Sequence, residues 1–102
     1  MRQRIEASST GITATSARGR VRHIDAADVR QVHSFIDASG DQGLVVRKSL
    51  LRFVYVPLEA LRDADVAAGI RHLVEHVRGH AHIDSHVEQY LVGDVSPTLL
   101  AA

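Results

Sequence analysis

A chain of 102 residues that is 45% hydrophobic and 24% charged has the size and composition of a single globular domain. It contains no cysteine, which excludes disulfide bonds, thiolate metal sites and cysteine nucleophiles. No segment has the apolar length of a spanning helix or a signal peptide, so we expect a cytoplasmic protein with no membrane partner. The formal net charge is zero, yet residues 1–52 hold nine of the basic residues and residues 53–102 hold seven of the acidic ones.

The N-terminal residues 1–17 are rich in Ser, Thr, Ala and Arg, with a weak alternation around Ile5 and Ile12. This composition is typical either of a short hairpin about Ser9, Thr10 and Gly11 or of a flexible arm, and both alternatives stay open. Residues 18–92 carry the periodic patterns of a folded domain. Residues 93–102 are expected to form a C-terminal tail, as an extension or a segment that docks on a partner.

The next two elements are predicted to be a strand and a helix. Residues 19–24 have the composition of a strand, and Asp25 is a suitable N-cap for a helix that follows. Val32, Phe35 and Ile36 recur at helical spacing, and Gly40 stands where a helix would end. The sequence therefore predicts a first helix between Asp25 and Gly40.

Three further elements complete the domain. Residues 44–47 and 50–56 are two β-rich runs with a short separation, which predicts an antiparallel hairpin. After Pro57, an apolar stripe from Val66 to Val77 predicts a second helix that stops near Gly79. Residues 81–91 alternate in polarity and predict a last strand.

Strand, helix, strand, strand, helix, strand is the βαββαβ order of the ferredoxin-like fold, an α+β architecture. Such a sheet has one face covered by helices and one face open, and the open face must be solvated, paired or used for binding. We therefore expect a homo-oligomer that assembles through this open face. The rival architecture is a helical domain with a β-hairpin, which would require residues 81–91 to be helical.

Five of the seven histidines lie within fifteen residues. On a helix, the first three would form a ridge with a spacing of four residues, and the others would share one face of the last strand. Imidazole and carboxylate groups together can bind a divalent transition metal without sulfur. The alternative is a polar border of exposed or interface histidines. The candidate metal ligands are His72, His76, His80, His82, Asp84 and His86.

Phe53 and Tyr55 are two residues apart in a predicted strand, so they share one sheet face and form a candidate binding surface. Residues 53–56 resemble part of the RNP1 motif of RNA-recognition motif domains, whose aromatic side chains stack on bases. The match covers four residues and lacks the preceding glycine. Because the chain also has no excess of positive charge, we do not expect a nucleic-acid partner.

Residues 51–79 also resemble the closing strand and helix of aminotransferases that use pyridoxal phosphate. That resemblance implies that Arg52 would hold a carboxylate of a small molecule. Pyridoxal chemistry itself is not expected, because the large domain and the cofactor lysine of those enzymes are missing.

These observations favour a small non-catalytic binding or regulatory module that oligomerises through its open sheet face, with a histidine-rich metal or ligand site. One alternative is a small dimeric α/β-barrel enzyme with a histidine as general base, in a pocket near His82 and Tyr55. Another is a purely structural assembly subunit. The sequence names neither the ligand nor the protein or small-molecule partner.

Overall fold

The computed structural model of the chain describes residues 3–91. In this part of the chain, seven strands and three α-helices surround one core. The strands are β1 Arg4–Ser8, β2 Gly11–Thr15, β3 Val21–Asp25, β4 Gln31–Ile36, β5 Gln42–Arg47, β6 Phe53–Pro57 and β7 His82–Ile83. The helices are α1 Leu58–Leu61, α2 Ala64–Val77 and α3 Val87–Leu91, and a 3-10 turn at Ala26–Asp28 follows β3.

The first sheet is an antiparallel meander in the order β1-β2-β3. Its first two strands form the hairpin expected as one alternative for the N-terminus, with Ser8 opposite Gly11 in the register. The Ser8 hydroxyl accepts a hydrogen bond from the backbone N–H of Thr10 at 3.2 Å, which closes the turn. Ile5 and Ile12 point into the core, so this hairpin is part of the folded structure.

The second sheet has the order β6-β5-β4-β7. Strands β4, β5 and β6 are antiparallel neighbours, whereas β7 runs parallel to β4. The predicted hairpin of residues 44–47 and 50–56 is confirmed as the pair β5 and β6, with Val45 opposite Tyr55. The α+β class is therefore confirmed.

The helix predicted between Asp25 and Gly40 is wrong, because this segment forms the 3-10 turn and strand β4. The apolar residues have helical spacing, but all three, Val32, Phe35 and Ile36, are β-branched or aromatic and favour an extended chain that pairs with β5. Gly40 closes the turn between β4 and β5 instead of a helix, with a φ of 89° that favours glycine. The element order therefore differs from the predicted ferredoxin-like βαββαβ.

The second predicted helix is confirmed as α2. The Asp63 carboxylate caps it by accepting hydrogen bonds from the N–H groups of Asp65 and Val66. On its buried side, Gly69 lies against β1 so closely that an added Cβ would stand 2.1 Å from the carbonyl oxygen of Ala7. Glycine is therefore required where this helix meets the first sheet. None of the helices in residues 3–91 is long and apolar enough to cross a membrane.

The last strand predicted at residues 81–91 is mostly wrong. Only His82–Ile83 is extended, and Val87–Leu91 forms α3. Asp84 starts the change of direction, because its carboxylate accepts the N–H of His86 at 3.0 Å and its carbonyl accepts the N–H of Val87. The tail predicted at 93–102 lies outside the described residues.

The core is a single cluster of aliphatic side chains from both sheets and all three helices, with Tyr90 as the one aromatic residue among its buried members in the described chain. Val32, Leu44, Val46 and Val56 supply the inner face of the second sheet. Val45 is also buried, with 3% exposed, but it lies on the opposite face of the same sheet and outside this cluster. Something other than the core therefore covers Val45.

Candidate binding face

The second sheet has a face turned away from the core, which we call the outward face. Strands alternate their side chains, so the residues between the core positions of β4, β5 and β6 must point to this side. The cross-strand register places His33, Val45 and Tyr55 in one row and Gln31, Arg47 and Phe53 in the next. Phe35, Gly43 and Pro57 form the third row.

The aromatic side chains cover the middle of the outward face. The Tyr55 ring lies across Gly43, where an added Cβ would stand 3.0 Å from a ring carbon of Tyr55. Phe35 meets Tyr55 edge to face, with ring centroids 5.8 Å apart. These rings and their neighbours explain why Val45 is buried although it faces away from the core. Phe35 itself is 42% exposed, so the cover is apolar on its outer side.

Burial affects the hydroxyl of Tyr55. Its oxygen is inaccessible to solvent and has no hydrogen-bond partner among residues 3–91. Burial, followed by the charges of Asp37 and Asp41, raises the pKa of Tyr55 above its usual value of 10.0. The side chain therefore stays neutral, with its hydroxyl enclosed beneath the surface of the outward face.

Arginines cover the other side of the face. The guanidinium of Arg47 lies 4.8 Å from the ring centroid of Phe53, and that of Arg22 lies 5.9 Å from it on β3. Arg22 also donates to the carbonyl of Phe53 at 3.4 Å, which joins the two sheets. Phe53 therefore lies near one cation from each sheet.

Charge is divided along the strand direction of this sheet. The turn between β4 and β5 carries Asp37 and Asp41. The opposite end of the strands carries the cations Arg30, Arg47, Lys48 and Arg52. A sheet that is acidic at one end and basic at the other presents a complementary pattern to a copy of itself turned by 180°.

Two of the predicted binding residues, Phe53 and Tyr55, lie together on the outward face. The third, Arg52, is exposed in the loop before β6, where its carbonyl accepts hydrogen bonds from the N–H groups of Lys48 and Ser49. Sequence reasoning missed Phe35, because a helix was expected there. The signal was present, since Val32, Phe35 and Ile36 are residue types that are enriched in strands.

The predicted metal residues are spread over three elements. His72 and His76 are exposed on α2, and His80 follows the helix and lies within 3.1 Å of the Ala26 carbonyl. His82 is in β7, and His86 lies just before α3. Residues 3–91 contain no group of three or more His, Asp or Glu side chains placed to hold one metal ion. The two expected histidine rows do not meet, because the strand that would align the second row is two residues long.

Asp84 lies near three histidines, His33, His82 and His86. The N–H of His86 lowers the pKa of its carboxyl group below the usual value of 3.8, and the neighbouring His86, His33 and His82 act in the same direction, while burial opposes them. This carboxylate begins α3, so its first role is structural. Because His33 belongs to the outward face, Asp84 and its histidine neighbours lie at the edge of that face.

A hydrogen-bonded chain of Thr13, His23 and Asp25 lies on the first sheet and was also missed by sequence reasoning. The imidazole nitrogens of His23 lie 2.7 Å from the Thr13 hydroxyl and 2.7 Å from the Asp25 carboxylate. The order resembles that of a catalytic triad, but His23 and Asp25 side chains are 49% and 66% exposed. These residues line neither the cleft beside β1 and α1 nor the cleft between β6 and the first sheet, which are described below. The geometry is that of a cross-strand surface interaction.

The larger of the two clefts has a volume of ≈ 780 Å³ and lies between β1, α1 and the start of α2. Ile5, Ala7 and Val66 contribute apolar surface to it. Its acidic residues are Glu6, Glu59, Asp63 and Asp65. The smaller cleft, of ≈ 190 Å³, lies between β6 and the first sheet and includes Arg20, Arg22 and Phe53.

No protein-family model, no curated protein and no solved structure matches this chain.

Proposed function

We propose that this protein is a small non-catalytic binding and assembly module whose recognition surface is the outward face of the second sheet. The observation that carries the proposal is the position of the aromatic residues. Three of the chain's four aromatic side chains, Phe35, Phe53 and Tyr55, are on this face, while the core is aliphatic apart from Tyr90. Aromatic residues are enriched at recognition surfaces because they bury a large area with few rotatable bonds.

The partner that fits this face best is a second copy of the chain. A two-fold axis across the outward face would set the acidic turn of one copy, with Asp37 and Asp41, against the cations at the other end of its partner's sheet. Such an isologous contact would pair the same patch with itself. It would also cover the exposed part of Phe35.

The enzyme alternative has less support. A histidine general base must lie within hydrogen-bond reach of its substrate, and neither the cleft beside β1 and α1 nor the one between β6 and the first sheet includes a histidine. The predicted metal site likewise lacks a converged set of ligands in residues 3–91. We therefore propose binding and assembly as the function, with a divalent metal as a secondary ligand only if direct measurement finds one.

The test is the self-association of three proteins measured by sedimentation velocity between about 1 and 200 μM. We expect the wild type to form dimers, and Phe35→Gln to raise the dimer dissociation constant by about tenfold or more, because an exposed aromatic anchor is lost. Val21→Gln is the matched control. Val21 is an apolar residue that is 59% exposed on β3, outside the outward face, so its substitution should leave the dimer unchanged.

A wild type that stays monomeric over this range, or a Phe35→Gln variant that dimerises as well as Val21→Gln, would overturn the proposal of self-association through this face. Elemental analysis of the same tag-free samples reports any bound transition metal. Stoichiometric metal that is lost in a His76→Gln, His80→Gln, His82→Gln variant would restore the histidine site as a function.

A further inference from the structure

The loop between β5 and β6, residues 48–52, presents two leucines to solvent. Leu50 is 81% exposed and Leu51 is 83% exposed. The N–H groups of Lys48 and Ser49 donate to the Arg52 carbonyl at 2.9 and 3.2 Å, and Arg47 donates to the Leu50 carbonyl at 2.8 Å. These bonds connect the two ends of the loop, and the exposed leucine side chains form an apolar tip on it.

The tip has a basic surround. Lys48 and Arg52 flank the two leucines, and Arg30 lies beside Arg47, since its N–H donates to the Arg47 carbonyl at 2.9 Å. The Lys48 ammonium lies 3.6 Å from a carboxylate oxygen of Asp28, an exposed pair that neutralises one of these charges. A partner for this tip therefore needs an apolar recess with an acidic rim.

The cleft of ≈ 780 Å³ between β1, α1 and α2 has this character. Ile5, Ala7, Ala60 and Val66 give it apolar walls, and it is large enough for two leucine side chains. Carboxylates line it as well. They belong to Glu6, Glu59, Asp63 and Asp65, of which Glu6 is paired with Arg4 at 2.8 Å and Asp63 caps α2.

The tip and the cleft of one molecule are at opposite ends of β6. The tip immediately precedes Phe53, and the cleft includes Pro57, the last residue of the same strand. Five extended residues separate their ends by roughly 17 Å, so a chain cannot place its own tip in its own cleft. The two complementary surfaces can only meet between molecules.

We propose that the Leu50–Leu51 tip of one copy docks into the acidic cleft of the next copy, in a head-to-tail contact. Such a heterologous contact is open-ended and generates rows of molecules or rings. It uses none of the aromatic residues of the outward face but shares the cations Arg30, Lys48 and Arg52 with the proposed dimer, so its test changes Phe35 and leaves those cations in place. With two apolar anchors it is a weak contact that forms at high protein concentration and weakens as salt screens the charges.

Complementation between two variants tests this contact, in a Phe35→Gln background that weakens association through the outward face. The tip variant carries Leu50→Ser and Leu51→Ser, and the cleft variant carries Glu59→Lys and Asp65→Lys. All four positions are exposed, and circular dichroism checks that the fold is retained. A variant with Glu75→Lys and Glu88→Lys has the same change of charge outside the cleft and serves as the control.

In sedimentation equilibrium, the parent and the control should show a mass that rises continuously with concentration. The tip and cleft variants should each remain monomeric, with association weakened about tenfold or more. An equimolar mixture of the two should form a heterodimer and nothing larger, because one intact tip and one intact cleft remain. A parent that does not associate, variants that associate like the parent, or a mixture that stays monomeric would overturn the proposal.

Discussion

The solvent-facing sides of the two sheets share one local arrangement, a ring packed over a glycine, but they differ in the polarity of that ring. In each, a ring lies across a glycine of the neighbouring strand, His23 over Gly11 in the first sheet and Tyr55 over Gly43 in the second. The first ring is polar, and both of its nitrogens are hydrogen-bonded within the sheet, to Thr13 and Asp25. The second belongs to an aromatic group with an unbonded hydroxyl in the described chain. A polar face whose groups are hydrogen-bonded is stable in water, whereas an exposed aromatic face is stabilised when a partner buries it.

The largest effect is expected where the first sheet meets its helix. A Gly69→Ala substitution would put a methyl group 2.1 Å from the Ala7 carbonyl oxygen, and neither backbone can move without disturbing the core. We expect a loss of about 3 kcal/mol or more in the free energy of unfolding. Urea unfolding followed by circular dichroism measures it. Ala68→Gly, at a partly buried neighbour on the same helix, is the control and should cost about 1 kcal/mol.

The two glycines beneath the rings provide the direct comparison between the sheets. Added methyl groups would stand 2.2 Å from the Val56 oxygen in Gly43→Ala and 2.6 Å from the Ile24 oxygen in Gly11→Ala. Both should destabilise the protein by about 1–3 kcal/mol. Only Gly43→Ala should also weaken self-association, because it displaces Tyr55 from the proposed interface. Equal effects of the two substitutions on association would argue against a special role for the second sheet.

A smaller effect is expected for Tyr55→Phe. In the monomer this change removes a buried hydroxyl that lacks a partner in residues 3–91, so stability should be unchanged or higher by up to about 1 kcal/mol. Because the hydroxyl is inaccessible to solvent, self-association through the outward face should not change. Thermal unfolding at low concentration measures the stability, and sedimentation at high concentration measures the association. A variant that is less stable as a monomer would show that the hydroxyl is bonded after all.

The tyrosine also predicts a response to alkaline pH. Because burial raises the pKa of Tyr55 in the folded state above 10.0, its contribution to stability is complete below pH 10.0 and is lost as the pH rises through the folded-state pKa. Tyr55→Phe should remove that part of the alkaline loss. Absorbance titration of the phenolate, with Tyr90→Phe to isolate the Tyr55 signal, follows the ionisation directly. A Tyr55 that ionises at or below pH 10.0 would contradict the buried position.

The hairpin turns of the two sheets should differ at acid pH, which is the smallest effect. The first turn is closed by the hydroxyl of Ser8, which does not titrate. The second is closed by Asp37, whose pKa is lowered chiefly by the hydroxyl of Ser39 and also by backbone N–H groups, while burial opposes them. Its contribution is present above the usual value of 3.8 and is lost as the pH falls through the folded-state pKa. Asp37→Asn should flatten the decline in melting temperature between about pH 4 and pH 2, and an unchanged decline would refute this.

What the sequence determined by itself is local. The stripe from Val66 to Val77 specifies α2, and alternation with a short connection specifies the β5–β6 hairpin, including the shared face of Phe53 and Tyr55. These patterns depend on neighbouring residues, because a helix period and a strand period need no distant partner.

Tertiary structure decided the rest. Residues 31–36 have an apolar spacing that suits a helix and a composition that suits a strand, and pairing with β5 decides for the strand that carries Phe35 to the outward face. The same holds for His82–Ile83, which is extended because it pairs with β4, while the histidines around it are spread over separate elements. Strand pairing depends on residues that are far apart in the chain. The cleft forms only when β1 lies beside α1 and α2, and β6 places the leucine tip at the other end of the same strand.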